Sequence, residues 1–309
     1  MPVPQHILDW LEKVAPPIAP EDFSLEAAHA LMDRLCSFSG PAQEVAHAET
    51  VSVGHGKVRV YRPAGSDASA KLPVFVFIHG GAFYLGTLDN YDTVCREMCN
   101  LSGAIVASVE YRLAPMNPFP AAIDDCYAAI EWLARTYPGV PLAVGGDSAG
   151  GCLSAAIAQA CRDREGPKLA LQVLIYPVTD NNFDYPSYAE NDGILLSRDA
   201  MAGMWAMYVT DPKDLANPLA IPSRAQTLEN LAPALVLTAE YDILRDEGEA
   251  YAKRLEAAGV PVTVTRYADV IHGFLTAGEV MPEAHAAMAQ IAAALREAFG
   301  GVAAGSMAG

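Results

Sequence analysis

Positive charge is scarce in this chain. It carries 20 Lys and Arg against 37 Asp and Glu, a formal net charge of −17. A field of that sign repels nucleic acid and anionic lipid surfaces and disfavours a strongly anionic substrate. Long apolar runs are also missing. The apolar stretches have strand length, far short of a bilayer span. The segment Met1-Pro-Val-Pro-Gln-His-Ile-Leu-Asp-Trp10 lacks the basic region and apolar core of a secretory leader. The expectation is therefore a cytoplasmic protein with no membrane insertion and no nucleic-acid partner. Cysteine is present without a framework: positions 36, 95, 99, 126, 152 and 161 lie in apolar or helical surroundings, so reduced thiols are expected. Cys95 and Cys99 stand four apart, but no further Cys or His follows at ligand spacing. They read as small core residues, and no metal or cofactor is expected.

Apolar residues make up 52% of the chain and charged ones 18%, which favours a large packed core over disorder. A length of 309 residues suits one α/β domain with an added cap. Residues 5–14 place Ile7, Leu8, Trp10, Leu11 and Val14 at helical spacing, ended by Pro16-Pro17. A second helix is expected from Ser24, with Leu25, Ala28, Leu31, Met32 and Leu35 on one face. From residue 51 the period changes, and Val51, Val53, Val58, Val60 and Tyr61 around Gly54-His-Gly56 read as a β-hairpin.

Short apolar runs then alternate with helical stretches. The runs are 73–78, 104–109, 141–145, 169–175, 234–239 and 261–267; helices are expected near 90–101, 121–135, 149–162, 245–258 and 282–298. Such alternation predicts a mostly parallel central sheet flanked by helices on both faces. Residues 180–231 interrupt it with a loop and a helix that starts at Ser197, an insertion long enough for a lid. The expected layout is one domain: a helical cap from about 1–45 and 182–220, a catalytic core from about 46–181 and 221–299, and a disordered tail over 300–309.

The segment Gly146-Asp-Ser-Ala-Gly150 falls between the run Pro141-Leu-Ala-Val-Gly145 and a helix-ready stretch of small residues. A strand, a Gly-x-Ser-x-Gly corner and a helix compose a nucleophile elbow, in which a sharp turn lifts the serine clear of the sheet. Ser148 is the candidate nucleophile. A hydroxyl needs a base, and two histidines follow it: His285 in a helical context, and His272 in a loop after the last strand. His272 is the expected base. Glu240, Asp242, Asp246 and Glu247 crowd the end of one strand. Asp246 and Glu247 enter a helix, where first-turn acids need no catalytic explanation. Asp242 sits beyond the strand end and is the choice to orient His272, with Glu240 second.

An oxyanion needs backbone N–H donors fixed before charge develops. Ala149 follows the nucleophile, and Gly80 and Gly81 in Phe77-Ile-His-Gly-Gly-Ala-Phe83 end an earlier strand. These three are the expected oxyanion hole, with His79 shaping the loop by hydrogen bonding. Phe83, Tyr84, Met204, Trp205, Tyr208 and Phe274 are the candidate pocket walls. The order Ser148, Asp242, His272 is that of the α/β-hydrolase fold.

With these pieces together, the chain resembles the bacterial hormone-sensitive-lipase-like family of carboxylesterases, in the subgroup with a Gly-Asp-Ser-Ala-Gly elbow. The matching residues are His79-Gly-Gly-Ala-Phe83, Tyr111-Arg-Leu-Ala-Pro115, Phe119-Pro-Ala-Ala122, Asp124-Asp125, Gly146–Gly151, Tyr176-Pro177, Asp242–Gly248 and His272-Gly-Phe274. Two positions depart from the pattern: Ala82 replaces a frequent third glycine, and Met116-Asn117 replace an acid and a histidine. The resemblance implies a metal-free hydrolase of short- to medium-chain acyl esters, working through a Ser-His-Asp triad and an acyl-enzyme under a cap. Its partner would be a small-molecule ester, with a homodimer left open. Amide hydrolases, dehydratases and non-catalytic small-molecule binders share the fold. The retained His272, elbow serine and loop glycines favour the esterase among them.

Overall fold

The computed structural model describes residues 2–16 and 24–300. The tail expected to be disordered lies outside the described residues from 301 onward. Two helices open the chain, α1 (Gln5–Val14) and α2 (Leu25–Cys36). Ser24 caps α2 by accepting from the Ala27 N–H at 3.1 Å, which satisfies one of the four orphan donors of a helix start. The hairpin follows as β1 (His47–Val53) and β2 (Gly56–Arg62).

Strands and helices then alternate: β3 (Val74–Ile78), α3 (Asp92–Ser102), β4 (Ile105–Glu110), α4 (Ala121–Thr136), β5 (Leu142–Asp147), α5 (Ala149–Asp163) and β6 (Leu169–Ile175). The expected insertion contains α6 (Pro186–Glu190) and α7 (Arg198–Tyr208), the latter capped by the Ser197 hydroxyl on the Ala200 N–H at 3.1 Å. The chain closes with β7 (Ala234–Tyr241), α8 (Arg245–Ala257), β8 (Val262–Ile271) and α9 (Glu283–Ala298).

All eight strands form one sheet in the order β1-β2-β4-β3-β5-β6-β7-β8. Only β2 runs against its neighbours β1 and β4; the pairs from β4 to β8 are parallel. The central strands are apolar at nearly every position because both faces are covered. Along β3, Val74, Val76 and Ile78 pack with residues of α4 and α5, while Phe75 and Phe77 pack with residues of α3 and α9. Residues of α8 form a further cluster with Leu174 and Val236. The six cysteines are buried free thiols, and burial pushes Cys36 and Cys99 up to about 12.

Parallel strands bring their carboxyl ends to one edge of the sheet, where open α/β proteins bind ligands. The loop after β3, the elbow after β5, Asp242 after β7 and His272 after β8 all leave from such ends.

Candidate active site

The turn from β5 into α5 places Ser148 at φ 54°, ψ −121°, a conformation that costs a non-glycine residue about 1–3 kcal/mol. Three backbone bonds hold it there. The Ser148 N–H donates to Ile175 O at 2.8 Å, and Ser148 O accepts from Val178 and Cys152 at 3.2 and 3.1 Å. The flanking glycines serve close approach. A Cβ on Gly146 would stand 2.1 Å from Ile78 O, and one on Gly150 would stand 1.9 Å from the same atom. The elbow therefore sits against the end of β3, and any larger residue would drive it away.

His272 Nε2 lies 2.9 Å from Ser148 Oγ, and its Nδ1 lies 2.7 Å from Asp242 Oδ2. A carboxylate only accepts, so Nδ1 carries the proton and Nε2 is left to accept from the serine hydroxyl. Asp242 is 1% exposed, and its other oxygen accepts from the Leu244 N–H at 2.9 Å. Asn191, just after α6, donates to Asp242 O at 3.2 Å. The structure thus brings Ser148, His272 and Asp242 into one line of hydrogen bonds. Glu240 is elsewhere, accepting from the Asp269 N–H at 3.0 Å. His285 is exposed on α9 and stands 3.0 Å from Glu97.

The expected oxyanion donors need one correction. The Gly80 N–H donates to Asp147 Oδ1 at 2.8 Å, so it is committed and cannot also serve a substrate oxygen. Gly81 and Ala82 line the cavity above Ser148, and Gly80 does not. No described residue accepts from the N–H of Gly81, Ala82 or Ala149. Ala82 itself adopts φ 54°, the left-handed region that a glycine would enter without strain. His79 is fully buried, and burial pushes its imidazole down to about 4. Its Nδ1 faces Gly80 O at 2.7 Å and its ring stacks on Tyr111 with centroids 4.4 Å apart. A neutral ring so placed shapes the loop and takes no proton from substrate.

The cavity over Ser148 measures about 840 Å³, inside the range of roughly 300–1,000 Å³ usual for small-molecule sites. Leu8 and Leu11 of α1, Leu31 and Met32 of α2, Leu195, and Met201 of α7 are among the residues that line it. Of the six expected wall residues, Tyr84 and Met204 line it as well. The other four do not, for packing reasons. Phe83 is fully buried and stacks on Tyr208, with centroids 3.8 Å apart and planes 2° from parallel. Trp205 packs beside both rings. Phe274 is buried against Tyr176 and Tyr267.

Three acids to which sequence reasoning gave no part in the site shape it. Asp147 is one; burial pushes its carboxyl up to about 6, against the lowering effect of the Gly80 and Tyr91 donors. Asp246 in the first turn of α8 accepts from the Ser187 N–H at 2.9 Å, tying α6 to the strand end that carries Asp242. Glu247 is 1% exposed and accepts from the N–H groups of Thr179 and Asp180 at 2.8 and 3.3 Å and from the Tyr188 hydroxyl at 3.0 Å. Burial outweighs those donors and pushes it up to about 8. For Asp147 the available signal was an acid in an otherwise apolar stretch, but its partners come from the loop after β3 and the start of α3. Those of Asp246 and Glu247 come from α6 and the chain after β6, all far away in sequence.

Comparison with known proteins bears on the fold and the activity. A family model described as the α/β-hydrolase fold matches residues 75–276. The chain is similar to the esterase LipI of Mycobacterium tuberculosis, 43% identical over 246 residues that make up 77% of each chain. Carboxylesterase NlhH of the same organism is 44% identical over 253 residues, 78% of each. Among solved structures, a hyperthermophilic esterase from the archaeon Pyrobaculum calidifontis superposes with a TM-score of 0.88 at 38% identity, covering 96% of this chain and 99% of its own.

Proposed function

Because the chain belongs to the α/β-hydrolase family, in its hormone-sensitive-lipase-like carboxylesterase branch, and is a carboxylic ester hydrolase, we propose that Ser148, His272 and Asp242 carry out two-step acyl transfer on neutral esters of short to medium chain length. The observation that carries this reading is the unbroken relay from Ser148 Oγ through His272 to Asp242, at 2.9 and 2.7 Å, beneath an apolar cavity.

In the first step Ser148 Oγ attacks the ester carbonyl while His272 Nε2 takes its proton. Asp242 holds Nδ1–H and stabilises the imidazolium. The carbonyl oxygen becomes an oxyanion, received by the free N–H groups of Gly81, Ala82 and Ala149. His272 then passes its proton to the departing alcohol, leaving Ser148 acylated. Water, deprotonated by the same nitrogen, attacks the acyl-enzyme; collapse of the second oxyanion releases the acid and returns the proton to Ser148.

Apolar side chains from α1, α2 and α7 favour hydrocarbon acyl or alcohol groups. Among the described residues lining the cavity, the charged carboxylates are Glu12 and Asp147, and no Lys or Arg is present. An anionic ester would find no counter-charge. Residues 1–45 and 182–220 are read as the cap, supported by the places of α1, α2 and α7 around the cavity. No helix among the described residues is long and apolar enough to cross a membrane. Together with the buried free thiols, this supports the cytoplasmic reading. Homodimer formation is compatible with the open edge of β8; sedimentation of the purified chain tests it.

The deciding experiment is hydrolysis of p-nitrophenyl esters from acetyl to palmitoyl, with Ser148→Ala in parallel. Turnover greatest at short or medium chains and absent from the variant supports the reading. Activity that survives the substitution overturns it.

A further inference from the structure

Acyl transfer as described makes no use of Asp147, although it adjoins the nucleophile. Its side chain is buried at the end of β5 and faces the loop after β3, the strand paired with β5. Oδ1 accepts from the Gly80 N–H at 2.8 Å, and Oδ2 accepts from the Tyr91 hydroxyl at 3.0 Å. The fit is close: a Cβ on Gly80 would stand 2.6 Å from Oδ2. Tyr91 reaches the same loop a second way, since its ring stacks over His79 with centroids 5.7 Å apart. His79 in turn holds Gly80 O. Gly80 is therefore gripped at both ends of its backbone, its N–H by Asp147 and its carbonyl by the His79 ring.

The peptides that follow Gly80 carry the N–H groups of Gly81 and Ala82. Their direction depends on how Gly80 is held, because consecutive peptides share the φ and ψ of the residue between them. The electrostatic neighbours of Asp147 are Tyr91, Tyr111 and Tyr176, Cys36 at the end of α2, and His272. Burial keeps the phenols and the thiol protonated at neutral pH. The Gly80 and Tyr91 donors, the Asp147 backbone N–H and His272 thus offset part of the cost of a buried carboxylate. A carboxylate accepts at both oxygens and donates nothing when ionised, so it matches two donors that converge from separate elements.

We propose that Asp147 is a positioning residue: with Tyr91 it forms a strut between the elbow and the oxyanion loop that aims the Gly81 and Ala82 N–H groups at the developing oxyanion. The strut rests on the acyl-transfer reading and adds to it the residues that preorganise its oxyanion hole. Its effect is confined to the transition state, so its loss lowers kcat and leaves KM in place.

The test measures kcat, KM and thermal midpoint for the parent, Asp147→Ala, Asp147→Asn and Tyr91→Phe on one p-nitrophenyl ester, with Ser148→Ala as control. Asp147→Ala removes both acceptors and is expected to lower kcat by about tenfold or more, with KM within about twofold. Asp147→Asn keeps an oxygen for the Gly80 N–H and should recover a large part of the loss. Tyr91→Phe leaves the Gly80 bond intact and should lower kcat by a smaller factor, again without changing KM. If Asp147→Ala does not fold, the other two variants decide. The strut is overturned if an active parent tolerates these changes within about twofold in kcat, if KM rises in step with the loss, or if Asn is as poor as Ala. An inert parent, or an active Ser148→Ala, overturns the acyl-transfer reading and the strut with it.

Discussion

At the scale of single residues, the site rests on a few atoms with no substitutes. Asp242 has one oxygen on His272 and the other on the Leu244 N–H, so its carboxylate cannot rotate without breaking both bonds. Asp242→Asn keeps the shape but presents a donor to Nδ1, which forces the wrong tautomer on His272. The expected result is a fall in kcat of about 10⁴-fold with the fold intact, measured by steady-state hydrolysis beside a thermal melt. A loss under tenfold would mean that His272 is oriented by something else. The same scale shows where sequence reading stopped. Ser148, Asp242 and His272 could be picked out because each sits at a strand end in a motif of its own. The commitment of Gly80 to Asp147 could not, because it depends on β3 lying beside β5.

Helices and strands were legible wherever the signal was local. The hydroxyls of Ser24 and Ser197 cap α2 and α7 where expected, and each apolar run became a strand within a few residues of its expected bounds. On α7 the helical period marks Met201, Met204, Trp205 and Tyr208 as one buried arc. Which part of that arc meets a void depends on Phe83, brought there by a distant loop. The two halves of the arc should therefore respond differently. Met204→Trp fills cavity space and is expected to lower kcat/KM for longer acyl chains while sparing acetyl esters. Trp205→Ala empties packed volume instead, and is expected to cost about 3–5 kcal/mol of stability without shifting chain-length preference. A matched series of p-nitrophenyl esters with thermal melts separates the two; an identical preference in parent and Met204→Trp would remove Met204 from the substrate path.

Glu247 yields a prediction for the element it anchors, the chain leaving β6. It faces Tyr188 of α6, the backbone and side chain of Asp180, Tyr185, and Cys152 of α5; among them Asp180 opposes its ionisation. Its folded-state value of about 8 lies above the unfolded one, about 4.3. The folded protein therefore binds the proton more tightly. That contribution to stability is full below about pH 4 and is lost as pH rises toward 8. Glu247→Gln lacks the ionisation. Its melting temperature relative to the parent should climb steadily from pH 5 to pH 8. A difference that is flat or falls over that range would contradict a protonated Glu247.

For the whole molecule, cysteine carries the testable content. All six thiols are buried, none more than 8% exposed. A thiol reagent should label none of them in the native protein and all of them in denaturant; rapid native labelling would mean that the packing around α2, α3, α4 and α5 opens readily. The order of strands in the sheet, unlike their existence, was beyond sequence reading. Parallel β4 and β3 exchange places relative to chain order, and that exchange puts β3 with its oxyanion loop directly beside β5 and its elbow.

The most direct measurement is intact-mass and peptide analysis after exposure to diethyl p-nitrophenyl phosphate, a reagent that a serine activated in this way attacks as it would an ester. Activity should disappear in step with a single diethylphosphoryl adduct on the peptide carrying Ser148, and His272→Ala should form that adduct far more slowly. Inactivation with the adduct on another residue, or full activity beside a fully modified Ser148, would contradict Ser148 as the nucleophile.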